Sequence, residues 1–261
     1  MLTDLLSIDL SLGEMLVFMV AGILTGVINT LAGSGSLITL PIFIFLCGLP
    51  APIANGTNRI GAVIQSAVAV RSFQKTGTTS FKGTGWLVGP AIAGAIVGSR
   101  IAASIDEQMM NYTIGGLMVF MLLVLLVNPK RWIQASDVDQ KRLKHPITLL
   151  VFFLIGIYGG FIQAGVGIFL LAGLVLVGGY SLGEGNGVKL LIVFAFSIPA
   201  LIVFFIHNQV HIGYGLAMAV FQSIGAWLAV RFVAHMPNAN VWIHRLLILI
   251  VAVAAVKFFW R

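Results

Sequence analysis

Charge is what this sequence has least of. Only 9% of its 261 residues are charged, 59% are hydrophobic and the mean hydropathy is +1.05. A soluble domain carries about 25% charged residues, so there are too few here to clothe a water-facing surface, which excludes an ordinary soluble enzyme. Cysteine is nearly absent. Cys47 stands alone and excludes an intrachain disulfide, so the fold must be held by packing, with Cys47 itself read as a small buried apolar side chain. Acids are also few. The eight are Asp4, Asp9, Glu14, Asp106, Glu107, Asp137, Asp139 and Glu184, nearly all between apolar runs. No catalytic pair, P-loop or dinucleotide fingerprint is visible, which argues against an intramembrane enzyme. No Lys or Arg precedes Arg59. A signal peptide needs a basic start, so the first apolar run is expected to stay as a membrane helix.

What is abundant points to lipid. Thirty glycines and 18 phenylalanines, beside only four tyrosines, suit helices packed closely within a bilayer, where small residues let backbones approach. Apolar segments fall at about 14–32, 37–48, 55–73, 83–103 and 109–127, then 147–165, 167–179, 187–206, 213–234 and 241–260. Most approach the roughly 20 residues needed to cross, whereas 37–48 and 167–179 are too short and each follows a glycine-rich break. The net charge of +7 comes mainly from basic residues between these segments, where they orient the chain and meet anionic headgroups rather than nucleic acid. Trp86, Trp132, Trp227, Trp242 and Trp260 mostly lie near segment ends and read as an interfacial belt.

The linker 128–146 carries Lys130, Arg131, Lys141, Arg142 and Lys144 and is assigned to the cytoplasm by the positive-inside rule. It separates a first transmembrane repeat, 1–127, from a second, 147–261. At an offset of 131, Asn55 pairs with Asn186, Gly56 with Gly187, Ser66 with Ser197, Gly94 with Gly225 and Arg100 with Arg231; at 132, Gly33 and Gly35 superpose on Gly165 and Gly167. Five segments per repeat, an odd number, make the second enter in the opposite sense. The predicted fold is an all-α polytopic bundle of two inverted-topology repeats with discontinuous helices, about ten segments, both termini outside. Eight full crossings, with 37–48 and 167–179 re-entrant, are the alternative.

The breaks carry the functional signal. Asn29-Thr-Leu-Ala-Gly-Ser-Gly-Ser36 and then Pro50 to Arg59 interrupt the first half. Gly156 to Gly167 and then Glu184-Gly-Asn-Gly-Val-Lys189 interrupt the second. Free N–H groups within lipid are costly unless they face protein or a cavity, and paired interruptions mark transporter sites. Helix N-termini favour an anion. The candidate site therefore joins backbone N–H groups near Gly33, Ser34, Gly35, Gly165 and Gly167 with the side chains of Asn29, Ser36, Thr57, Asn58 and Gln163. Arg59 and Lys189 would draw the anion in, and Glu184, the only acid nearby, is the candidate for proton coupling. The competing readings are close helix packing for the glycines, snorkelling at the interface for Arg59 and Lys189, and a loop charge pairing with Lys189 for Glu184. Gln65 and Gln222 read as interhelical ties, and His207 and His211 as an interfacial loop rather than metal ligands.

At these residues the chain resembles the sulfite exporter TauE/SafE family of bacterial and archaeal membrane proteins. The resemblance rests on Ala-Gly-x-Gly-Ser at 32–36, the following proline, the pattern over 51–58 ending in Gly56-Thr57-Asn58, and the glycine run from 156. Ser34 stands within what is often a run of three glycines. The resemblance implies a secondary transporter of the cytoplasmic membrane that exports sulfite, small organosulfonates or related sulfur anions without ATP hydrolysis or a cofactor. Its partners would be a small inorganic or organic anion and membrane lipid, with a homodimer open. A non-transporting accessory or scaffold protein is the other reading.

Overall fold

The computed structural model describes residues 6–76, 81, 83–126, 143–232 and 239–259, and among them it is helical without a strand. Among the described residues five helices precede the linker: α1 (Leu12–Ala32), α2 (Ser36–Pro41), α3 (Ala51–Thr76), α4 (Gly85–Ala103) and α5 (Glu107–Leu126). Five follow it: α6 (Pro146–Phe161), α7 (Val166–Leu176), α8 (Leu182–Ile206), α9 (Ile212–Arg231) and α10 (Ala239–Phe259). The chain is an all-α membrane protein, with α1, α4, α5, α8 and α9 each long and apolar enough to cross a bilayer.

Local chemistry fixes where the helices begin and end. Ser11 and Glu14 form a reciprocal capping box that opens α1, and Gly33, at φ 73°, closes it in a left-handed conformation that glycine adopts without strain. Ser181 caps α8 through the Glu184 amide. After Pro41, which has no N–H to donate, α2 relaxes into a π-helical turn, Ile42–Leu46.

The second helix of each half folds back on the first. Phe18, near the start of α1, lies 6.3 Å from Phe43 in the π turn. In the other half Tyr158 is 5.2 Å from Phe169, and Gly173 faces Phe152 and Ile155 further up α6. Residues 166–176 rise about 16 Å at 1.5 Å per residue, roughly half the hydrocarbon core, so the short arms end inside it. The two hairpins meet at their tips. Gly33 and Gly167 lie backbone to backbone, the Gly167 amide donates to the Gly33 carbonyl at 3.0 Å, and a Cβ on either would collide with the other.

The long helices interlock across the halves. Helix α4 packs on α6 and α9 on α1, while α3 and α8 pack on each other and on α9 and α4 respectively. Glycine permits the approach: Gly26 faces the Gln222 carbonyl, and Gly94 and Gly98 face those of Phe153 and Ile157. The contacts run in step. Ala91 meets Gly156 and Ala95 meets Gly160, while Gly22 meets Phe221 and Gly26 meets Ala226, so α4 runs parallel to α6 and α1 to α9. Away from these seams large apolar side chains point outward, as with Leu12, Leu16 and Val20 on α1 and Leu249, Val253 and Val256 on α10. Helical spacing of exposed hydrophobics is the mark of a face bathed in lipid.

Several expectations are adjusted. Residues 50–59 do not form a break, because α3 begins at Ala51 and carries Thr57, Asn58 and Arg59 in its second and third turns. Residues 184–189 likewise belong to α8. Cys47 is only partly buried. Trp86, Trp227 and Trp242 are exposed near helix ends, as a belt requires; Trp132 and Trp260, and most of the linker, lie outside the described residues. Replacing Gly98 with Val should destabilise the protein by about 1–3 kcal/mol through overpacking, read by thermal unfolding in detergent. Gly116→Ala, where a Cβ has open space, should leave stability unchanged or raise it.

Candidate functional site

Where the two hairpins meet, carbonyl groups converge that no helix can satisfy. A helix leaves its last carbonyls without intrahelical donors, and α1 and α6 both end deep in the bundle. The donors come from the opposite half. Arg59 of α3 reaches the end of α6, donating from Nη1 to Gly159 O (2.5 Å) and Gln163 Oε1 (3.2 Å), and from Nη2 to Gly160 O (3.0 Å) and Asn55 Oδ1 (3.1 Å). Asn55 Nδ2 takes the next carbonyl, Phe161 O, at 2.8 Å. In the reciprocal place, Lys189 of α8 reaches the end of α1, donating to Asn29 O (3.4 Å), Thr30 O (3.1 Å) and Asn186 Oδ1 (2.9 Å).

Both cations are fully buried, at 0% exposure. The snorkelling reading is thereby set aside: neither side chain reaches an interface. Neither has a carboxylate partner among the described residues, and what each meets is the negative end of a helix dipole. Phe204 covers one face of the Arg59 guanidinium, its ring centroid 5.3 Å from Cζ.

Of the other expected site residues, Gln163 and Asn29 join the same network, whereas Ser34, Ser36 and Asn58 are hydrogen-bonded separately. Gln163 sits in the second break at φ 66°, a left-handed conformation unusual for a residue with a Cβ. Its oxygen accepts from Arg59 and its Nε2 donates to Ser197 Oγ at 3.0 Å. Asn29 Nδ2 donates to Gln65 Oε1 at 2.6 Å, and Gln65 Nε2 donates to Thr30 Oγ1 at 3.2 Å. Asn58 ties α3 to α2, accepting from Thr39 Oγ1 (2.6 Å) and donating to Ser36 Oγ (3.0 Å). The buried Ser34 hydroxyl donates to Ala32 O at 3.4 Å.

Some expected donors are engaged inside the protein. The amide of Gly33 donates to Asn29 O (2.9 Å), that of Gly35 to Asn29 Oδ1 (3.4 Å) and that of Gly167 to Gly33 O. Gly165 forms the left-handed residue that starts α7, at φ 68° against Met121. Thr57 ties α3 to α9 by accepting from the His211 amide at 2.8 Å. Glu184 is bound to Ser181 in the first turn of α8, and no ion pair links it to Lys189. His207 and His211 cap adjacent helices, as a connecting loop would have them.

Sequence reasoning left Asn55, Asn186, Gln65, Thr30, Thr39 and Ser197 out of the site. A signal for three of them was present, since Asn55 and Asn186, like Ser66 and Ser197, recur at the repeat offset. Carbonyl acceptors such as those of Gly159 and Gly160 carry no side-chain signal at all.

Two apolar hairpins meeting tip to tip inside a lipid-exposed bundle, with buried polar groups at the junction, define a polytopic helical membrane protein. The profile described as Sulfite exporter TauE/SafE matches residues 18–258, and the chain belongs to that family of membrane transporters. It is similar to "Probable membrane transporter protein ORF9" of a Sinorhizobium species, at 26% identity over 226 residues, covering 86% of this chain and 85% of the relative. A "Probable membrane transporter protein" of Haemophilus influenzae is 24% identical, covering 86% and 87%, and the Escherichia coli "Probable membrane transporter protein YfcA" is 23% identical, covering 90% and 85%. No solved structure matches. The protein is thus a multi-pass transporter of the bacterial cytoplasmic membrane rather than an enzyme.

The strain at Gln163 is separable from its hydrogen bonds. Gln163→Ala and Gln163→Gly both lose the bonds to Arg59 and Ser197, but only alanine keeps a Cβ at positive φ. Gln163→Gly should therefore be the more stable of the two by about 1 kcal/mol, measured by thermal unfolding of the purified variants.

Proposed function

We propose that this transporter moves sulfite, small organosulfonates or related sulfur oxyanions out across the cytoplasmic membrane, at the junction of the two hairpins. The observation that carries this reading is a pair of fully buried cations, Arg59 and Lys189, with no carboxylate partner among the described residues. Each faces a helix C-terminus worth about half a negative charge. Two whole positive charges against two halves leave an excess of about one, and an unbalanced charge away from water is expensive. A single small anion would remove it. The side chains of Asn29, Ser36, Asn58 and Gln163 and the amides near Gly33, Ser34, Gly35, Gly165 and Gly167 are the further donors this reading assigns to the anion once the hairpins part, whereas Thr57 stays tied to α9.

The parallel packing of α4 with α6 and of α1 with α9 supports an inverted arrangement of the halves. Charge supports the orientation. Arg71, Lys75, Lys144, Arg231 and Arg245 belong to the helix ends on the linker side, whereas Asp9, Glu14, Asp106 and Glu107 belong to the other, together with the basic Arg100 and Lys257. By the positive-inside rule the linker side is cytoplasmic and both termini are outside. Reporters active on one side of the membrane, fused to each terminus, should both report the outside; two cytoplasmic termini would exclude the arrangement.

Export follows the anion's own gradient and the membrane potential, since Glu184 is held as a helix cap. Proteoliposomes should show saturable, protein-dependent flux of labelled sulfite or a small sulfonate. Glu184→Gln should leave its pH dependence unchanged, and a shifted pH profile would instead give Glu184 the proton. A scaffold or accessory protein would show no flux at all.

A further inference from the structure

We infer that the two buried cations have different tasks: Arg59 contacts the transported anion through its Nε–H, whereas Lys189 is a positioning residue that holds the end of α1. The inference rests on the anion reading above and follows from counting donors. A guanidinium carries five N–H groups and an ammonium three. Lys189 has three acceptors, Asn29 O, Thr30 O and Asn186 Oδ1, so its capacity is filled. Arg59 has four, Gly159 O, Gly160 O, Gln163 Oε1 and Asn55 Oδ1, all on Nη1 and Nη2. Its Nε is buried and has no hydrogen-bond partner.

A buried N–H on a charged group without an acceptor is among the costlier defects a protein can hold, and native structures rarely keep one without a use. Geometry narrows that use. Phe204 lies over one face of the guanidinium, and the Nη groups are bound to the end of α6. What remains is the Nε edge, in the plane of the group, suited to one oxygen of a small oxyanion through a charge-assisted hydrogen bond. The four Nη bonds fix that edge in place, so the donor is oriented before the anion arrives. No such edge is left on Lys189. The pairing of the halves is therefore symmetric in its scaffold and unequal in its chemistry.

The test uses the full-length protein in detergent or nanodiscs and sulfite as the probe. Arg59→Lys keeps the positive charge and removes Nε; it should weaken sulfite binding by roughly 10- to 100-fold, the range expected for one charge-assisted hydrogen bond. Lys189→Gln should lower the unfolding temperature and weaken sulfite binding by less than Arg59→Lys does, because it removes charge that draws the anion in but no hydrogen bond to the anion. A direct readout covers the case in which Arg59→Lys fails to fold. Arg71, Arg100, Arg231 and Arg245 are exposed, so Arg59 alone among the described arginines should give a solvent-protected Nε–H signal in a nitrogen-labelled arginine spectrum. Sulfite should move that signal saturably. Parent protein that binds sulfite with the signal unmoved, or with Lys189→Gln weakened as much as Arg59→Lys, overturns the inference and leaves the anion reading standing. Parent protein that binds neither sulfite nor a small sulfonate overturns both.

Discussion

Two helices that stop in the middle of a membrane protein set the central constraint. The carbonyls at the ends of α1 and α6 face neither water nor a continuing helix, and each unsatisfied one would cost about 1–3 kcal/mol. The chain answers with a cation from the opposite half, Arg59 for α6 and Lys189 for α1. Those two contacts determine much else. They require α3 and α8 to run past the hairpin tips, they bury two long cationic side chains, and they bring Asn55 and Asn186 in as accessory partners.

Close backbone approach makes the arrangement feasible. Arg59 and Lys189 reach the carbonyls only because the hairpin tips come together, and Gly33 against Gly167 leaves no room for a side chain on either. The same economy of volume operates along the long seams, where Gly26, Gly94 and Gly98 face carbonyls of neighbouring helices. In lipid, where apolar side chains gain little by leaving their surroundings, such contacts supply the dispersion and weak polar interactions that hold helices together. At the hairpin tips and along the seams alike, the glycines act as packing residues.

Much of this could be read before any coordinates. The scarcity of charge and the spacing of apolar runs gave ten helices in two sets of five, and the glycine breaks located the hairpin tips within a few residues. What stayed hidden has physical reasons. Proline and glycine at 50–59 look like an interruption, yet Pro50 and Pro52 sit where the first turn of a helix has no use for an N–H, so α3 runs through. The burial of Arg59 and Lys189 could not be inferred because their partners are mostly main-chain carbonyls, which every residue has and no sequence displays. Thr57 was read as a ligand donor because its hydroxyl lies among polar neighbours in sequence, whereas in space the nearest need is the amide of His211. Gly33, Gly35 and Gly167 mark the hairpin tips, but their amides serve the protein's own hydrogen bonding.

The pairing of α4 with α6 and of α9 with α1 bears on how far the helices before and after the linker depend on one another. Residues 1–127 and 147–261 are separate in sequence, yet each supplies long helices to the other's seams and a cation to the other's interior. Pulled apart, either piece would expose glycine-lined strips of bare backbone and carry an unmatched charge into the bilayer. Covalent linkage then matters less for joining two finished bodies than for guaranteeing one copy of each, so that the two sets of helices stand or fall as a single cooperative object.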